Sequence, residues 1–236
     1  VLMCGVGKTL ISLWVSQKMG TNTILIGVPN KLLLKQWEQE VGKIFQKFNC
    51  LVVSGGVNVS DIAHFLENNK EQCIVITTYA SSHKVLDASM RVSFVFNMKI
   101  LDEVHHLTSN NINEEERKTY IQILKIESAK QIALTATLKI LENKEHMRDD
   151  DIIVSNDNNE YFGEIIDRKC LLWAINQQVI CDYVIQTIMT NEEQLERELI
   201  QFNVVEENDK RLFLSAFTSL KSIHDGHSHH LLIYAN

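Results

Sequence analysis

Gly5-Val6-Gly7-Lys8-Thr9 runs directly into LISLWVSQKM, residues 10–19, so that a glycine-rich turn opens onto the N-terminus of an apolar helix. Glycines in such a turn let consecutive backbone N–H groups point inward at an anion, and the helix dipole favours negative charge at the same place. Lys8 can then reach the terminal phosphates of a nucleotide and the Thr9 hydroxyl can ligate Mg²⁺. Gly5, Val6, Gly7, Lys8, Thr9 and Leu10 are the candidate nucleotide-binding residues. The full pattern GxxxxGK[ST] would place a glycine where Leu2 stands, which is a departure from the strict signature. Taken alone, the turn could also be a simple helix cap beside an exposed lysine.

Outward from this turn, short apolar runs alternate with amphipathic stretches. Strands are expected near Ile24–Val28, Leu51–Val53, Ile74–Thr77, Val95–Asp102 and Gln131–Leu134. Apolar residues at helical spacing fill Leu32–Phe45, Val59–Leu66 and Glu114–Ile126. Five strands with crossover helices predict a doubly wound, parallel α/β sheet. After Thr137 the chain turns polar and acidic (ENKEHMRDDD, then SNDNNE), which reads as a surface connection and a domain boundary. A later group is expected to comprise a strand at Val179–Ile188, helices at Glu192–Phe202 and Lys210–Ile223, and a closing strand in LLIYAN, residues 231–236.

The composition sets outer bounds. With 236 residues and 45% hydrophobic content, the chain can bury a sizeable core, and its apolar stretches are far shorter than a bilayer span. The net charge of −7 argues against a surface coated in positive charge, the simplest mark of a nucleic-acid binder. Its distribution softens that objection. Residues 1–60 carry six lysines against two glutamates, whereas residues 145–167 carry eight acids and one arginine. The five cysteines form no CxxC pair and mostly sit in apolar runs, so reduced, buried thiols in an intracellular protein are expected. Val1–Cys4 lacks the features of a secretory signal and leads at once into the glycine turn, which reads as a cropped start.

The second chemical motif is Asp102-Glu103-Val104-His105, two carboxylates at the end of an apolar strand. Ligands of open α/β sheets bind at that edge. Asp102 would hold Mg²⁺ and Glu103 would polarise the attacking water, the two needs of phosphoryl transfer. A solvated strand end gives the same four residues, so the weight comes from order and context. ILIGVPNKLLLKQW, VITTYASS, LTAT (Leu134–Thr137) and LLIYAN follow one another as motifs Ia, Ib, III and IV do in superfamily 2 helicases and translocases. The chain resembles that family, specifically its DExH group, which includes excision-repair helicases and the motor subunits of type III restriction enzymes.

The resemblance implies a RecA-like ATP-binding domain over residues 1–140, a connecting segment over 141–178 and the opening part of a second RecA-like domain over 179–236. It implies ATP and Mg²⁺ as ligands, with Lys8 and Thr9 on the nucleotide, Asp102 assisting the metal and Glu103 as catalytic base. His105, Thr135 and Thr137 are expected to couple nucleotide state to a nucleic-acid groove. Pro29, Asn30, Lys31, Thr77, Thr78 and Tyr79 are expected to line that groove, with DNA favoured over RNA as the partner and no membrane. Bland alternatives remain for each: Thr135 and Thr137 as turn caps, Pro29 and Asn30 as ordinary turn residues, and Trp37 as core. His224, His227, His229 and His230 read as a solvated loop rather than a metal site. Motifs V and VI, which carry the arginines of the second domain, are not found, so these residues by themselves are expected to bind ATP but turn it over very slowly. A motor of a restriction system, an RNA helicase and an ATP-binding switch without turnover stay open as alternatives.

Overall fold

The structure is a computed structural model that describes residues 1–108, 118–141, 154–183, 192–202 and 206–226. The chain divides into two compact units, Val1–Cys181 and Asp182–Asn236.

The first unit is built on a parallel sheet of β1 (Thr23–Val28), β2 (Asn49–Val53), β3 (Cys73–Thr78), β4 (Phe96–Leu101) and β5 (Ser128–Ala133), in spatial order β2-β3-β1-β4-β5. All five fall where the apolar runs predict strands. The central strands β1 and β3 are buried along their whole length, which is why TILIGV and CIVITT read as continuous apolar runs rather than as alternation. Ile24, Ile26, Val28, Ile74 and Ile76 enter one core with Leu34, Trp37 and Val41, while Leu25 and Val75 enter the other with Ile62, Leu66 and Val85.

The helices of this unit are α1 (Lys8–Lys18), α2 (Lys31–Ile44), α3 (Val59–Asn68), α4 (Ser82–Arg91), α5 (Gln122–Lys125), α6 (Asn159–Phe162) and α7 (Leu171–Asn176). Helices α2 and α3 start where they do because the Asn30 and Asn58 side chains accept from the N–H groups of Leu33 and Asp61. Within the expected helix Glu114–Ile126, residues 118–120 and α5 are helical among the described residues, and 109–117 lie outside them.

The residues before the glycine turn are tied to the chain just after β5 and to the segment before α7. Leu2 donates its N–H to the Thr135 carbonyl at 3.0 Å and forms a parallel bridge with Lys169. The turn is therefore anchored on its N-terminal side by backbone bonds to Thr135 and to the Lys169 segment.

Three expectations are corrected. Residues 179–183 are irregular rather than a strand, and the rest of that predicted strand lies outside the described residues, as does LLIYAN. Of the cysteines only Cys73 is buried; Cys4, Cys50, Cys170 and Cys181 are exposed, because the apolar runs around them present alternate faces or end at the surface. Ser155 and Asn156, read as part of a surface loop, are buried: their side chains satisfy backbone groups of Leu141, Lys139 and Val104. The second unit contributes α8 (Glu192–Gln201) and α9 (Glu207–His224), at the two places where helices are expected.

Lys99, in the middle of β4, is only 4% exposed and donates its ammonium to the carbonyls of Ile123, Leu124 and Ile126 at 3.4, 3.2 and 2.8 Å, closing the C-terminal end of α5. Burial pulls its pKa from the usual 10.5 down to about 8. Between those values the unfolded chain holds a proton that the folded chain does not, so the penalty of burying the charge is relieved as pH rises through 8. The unfolding free energy is expected to rise by about 1 kcal/mol between pH 7.5 and 9 in denaturant titrations, and Lys99→Met should lack that rise. Above pH 9 the buried Cys73 thiol, pushed up to about 12, works in the opposite direction.

Candidate functional site

The glycine turn has the backbone that its sequence demands. Gly5 and Gly7 take φ of 81° and 86°, the left-handed region, and a Cβ on Gly5 would come within 3.2 Å of Ile180 Cγ2. Gly7 is the N-cap of α1, and it has no side chain with which to cap the first-turn N–H groups. Val6, Thr9 and Leu10 are half-buried beside it. Lys8 is almost wholly buried, and its Nζ lies 3.4 Å from Glu103 Oε1.

The carboxylate pair is held by elements from both faces of the sheet. Where β4 ends, Asp102 donates its N–H to the Gly27 carbonyl of β1 at 2.9 Å. The chain then turns through Glu103 in the left-handed region, at φ 49° and ψ 51°, into a 3₁₀ turn over Val104–Leu107. That conformation costs a non-glycine residue about 1–2 kcal/mol. Val104 N–H donating to Leu134 O at 3.0 Å, and Asn156 Nδ2 donating to Val104 O at 3.2 Å, hold it in place.

Asp102 is 4% exposed. Its Oδ2 accepts the Trp37 indole N–H at 2.8 Å, its Oδ1 accepts the Glu103 N–H at 3.0 Å, and its backbone carbonyl accepts the Tyr79 hydroxyl. Burial raises the Asp102 carboxyl above the usual range, while the indole N–H opposes that shift. Glu103 Oε2 is buried with no hydrogen-bond partner among the described residues, 3.3 Å from His105 Nδ1.

His105 Nδ1 also lies 3.1 Å from Thr135 Oγ1, whose single proton goes to the Thr137 carbonyl at 2.7 Å. The hydrogen on that side must then sit on His105 Nδ1, which assigns the tautomer. Burial, then the charge of neighbouring His106, lowers the His105 pKa from the usual imidazole value, while Glu103 opposes the shift. Lys8, Asp102, Glu103, His105 and Thr135 thus form one connected group at the C-terminal edge of the sheet, next to β1 and β4, where successive strands switch sides. Thr137 contributes its backbone carbonyl and N–H to it.

The residues expected in a nucleic-acid groove divide. Pro29 is half-buried, and Asn30 and Lys31 are exposed at the start of α2. Thr77 and Tyr79 are fully buried and Thr78 nearly so. This corrects the expectation for their side chains: the Thr77 hydroxyl donates to the Thr78 carbonyl and the Tyr79 hydroxyl to Asp102, so neither faces a surface. Trp37, Asn156 and Ile180 belong to the surroundings of the site without having been expected there. Only Trp37 carried a signal, its helical spacing from Leu34 and Val41, and that signal pointed to core. A surface depression lined by Gln17, Thr21, Ile44, Phe45 and Gln72 lies at the opposite, N-terminal end of β1 and β3.

A family model described as type III restriction enzyme, res subunit, matches residues 1–140 of the 236. The chain belongs to this family. The res-subunit match spans the glycine turn, the carboxylate pair and Thr135–Thr137 together. Among individual proteins, the transcript termination protein OPG145 of monkeypox virus is 28% identical over 105 residues, 44% of this chain and 20% of the relative. The transcript termination protein A18 of cowpox virus (strain Brighton Red) is 27% identical over the same shares. The chain spans about a fifth of the length of these curated relatives.

Among solved structures, the ATP-dependent type ISP restriction-modification enzyme LlaBIII bound to DNA is similar with a TM-score of 0.63 and 21% identity, over 77% of this chain and 14% of that one. A nuclease-deletion mutant of the type ISP enzyme LlaGI, in complex with a DNA substrate mimic, gives 0.60 and 21% over 75% and 16%. The likeness is one of fold. With the parallel sheet and its flanking helices, it gives the res-subunit domain here a RecA-like α/β fold. Among the described residues no helix is long and apolar enough to cross a membrane.

Proposed function

We infer that this domain is the ATP-hydrolysing half of a motor that moves along nucleic acid, with DNA favoured over RNA. The observation that carries the reading is the 3.4 Å approach of Lys8 Nζ to Glu103, which joins the phosphate-binding turn to the acidic pair in one cleft. The donor set suits Mg²⁺: a carboxylate fixed on both oxygens at Asp102, the Thr9 hydroxyl at the start of α1, and a buried Glu103 oxygen that has no hydrogen-bond partner among the described residues. Mg²⁺, when bound, neutralises phosphate charge.

The protein groups divide the remaining work. Backbone N–H groups of Gly5–Leu10 and the Lys8 ammonium hold the β- and γ-phosphates. Glu103 takes a proton from the water that attacks the terminal phosphorus, and the bond to the β–γ bridging oxygen breaks, releasing ADP and phosphate. His105, within reach of both Glu103 and Thr135, senses which of the two needs its Nδ1–H and so links the phosphate end to the Leu134–Thr137 turn. Asn30 and Lys31 are the surface offered to a phosphodiester chain, a mode of contact with little sequence preference and strong salt dependence.

The type ISP enzymes with this fold, described with DNA, support DNA as the partner, and the res-subunit family supports a restriction-type motor as the specific setting. In that reading residues 1–140 are the first motor domain, 141–178 the connection and 179–236 the opening part of the second.

The test is ATP turnover, with and without single- or double-stranded DNA or RNA, by a protein carrying both motor domains. Turnover should be stimulated by nucleic acid and fall by about 10²–10⁴ in Glu103→Gln, the scale of a lost general base. Turnover indifferent to both Glu103→Gln and nucleic acid would refute the motor reading.

A further inference from the structure

The Trp37 indole is fully buried where α2 packs on the sheet, and an apolar ring of similar size would fill that core as well. Its N–H nonetheless donates to Asp102 Oδ2 at 2.8 Å. A buried indole N–H needs an acceptor, and here the acceptor is the carboxylate at the end of β4 rather than a nearby carbonyl. Oδ1 takes the Glu103 N–H at 3.0 Å, and from the opposite core the Tyr79 hydroxyl donates to the Asp102 backbone carbonyl. The carboxylate cannot rotate without losing one of these bonds. Each oxygen still keeps an unshared lone pair, since an ionised carboxylate accepts at about four sites.

We propose that Trp37 is a positioning residue for the divalent cation: its indole N–H holds the Asp102 carboxylate in one rotation, so that the remaining lone pairs meet the metal without reorganisation. The inference rests on the reading of Asp102 as the metal-holding group. A group that must be ordered when its ligand arrives loses part of the binding energy to that ordering, and the indole removes this loss in advance. The same logic governs metal ligands generally, whose orientation is set by a hydrogen bond from outside the coordination sphere. Helix α2, which carries Trp37, begins at the exposed Asn30–Lys31 turn, so one rigid element links that turn to the metal-holding carboxylate.

Calorimetric titration of the full 236-residue chain with AMP-PNP, with Mg²⁺ and with EDTA, tests this in wild type, Trp37→Phe and Asp102→Asn. Trp37→Phe should lose about tenfold of the affinity that Mg²⁺ adds, the scale of one hydrogen bond to a charged group, while its metal-free affinity stays within about twofold of wild type. If Trp37→Phe keeps the full Mg²⁺ gain while Asp102→Asn loses it, the positioning role is overturned and the metal site stands. If Asp102→Asn also keeps the gain, the metal site itself is wrong.

A second measurement needs no substitution in the core. The chain has three tryptophans, and Trp14 and Trp173 are exposed, so their replacement by phenylalanine assigns the Trp37 Nε1–H resonance by elimination. That resonance should move when Mg²⁺ is added to the AMP-PNP-bound wild-type chain, and an unmoved resonance would overturn the proposal.

Discussion

Lys8→Ala is expected to lower the affinity for ATP in the presence of Mg²⁺ about a hundredfold, the upper end of what a lost hydrogen bond to a charged group costs. Lys8 is already almost fully buried at the start of α1, with Glu103 as its ion-pair partner at 3.4 Å, so the ammonium is held in the cleft rather than recruited from solvent. Little ordering entropy is then lost when a phosphate arrives, and little is left to replace the charge once it is removed. Lys8→Arg should not rescue binding, because a planar guanidinium does not fit the space of a compact ammonium in a buried turn. A loss of less than about threefold in equilibrium dialysis would mean that the turn is a helix cap and nothing more.

Trp37→Ala is expected to cost the first unit about 5 kcal/mol in urea denaturation. Removing a fully buried tryptophan costs about 3–5 kcal/mol through lost burial and the residual cavity. To that is added the loss of a hydrogen bond to the buried Asp102 carboxylate, about 1–3 kcal/mol. Domains of this size are stable by about 5–15 kcal/mol, so the variant should sit close to unfolding at room temperature. Trp37→Phe keeps most of the ring's volume in the core it shares with Leu34, Val41, Ile26 and Ile100 and should lose less than half as much. Equal losses in the two variants would place the cost in the N–H bond rather than in packing.

The sheet was legible because a parallel sheet buried on both faces leaves unmistakable apolar runs, and ILIGV, CIVIT and FNMKIL are such runs. Lys99 interrupts the last of them without ending it, since its ammonium reaches the open carbonyls at the end of α5. The glycine turn and the acidic pair stand out in the sequence because phosphate chemistry would constrain residue type at fixed spacing, and the structure brings the two together at Lys8 and Glu103. What surrounds them was not. Trp37 and Tyr79 read as core and as groove surface, yet both donate to Asp102 from opposite faces of the sheet, an arrangement set by tertiary packing. Asn156 sits in a polar run that looks solvated, and only the fold reveals that its amide secures the turn after Glu103. The groove residues were misread at Thr77 and Tyr79 because a strand end followed by polar residues gives no sign of which side chains the next helix covers.

Amide hydrogen exchange of the chain with and without AMP-PNP and Mg²⁺ locates the nucleotide most directly. New protection is expected over Gly5–Leu10 and over Asp102–His105, at the C-terminal edge of the sheet. Protection confined to the opposite edge, around Gln17, Thr21, Phe45 and Gln72, would contradict the assignment of the site.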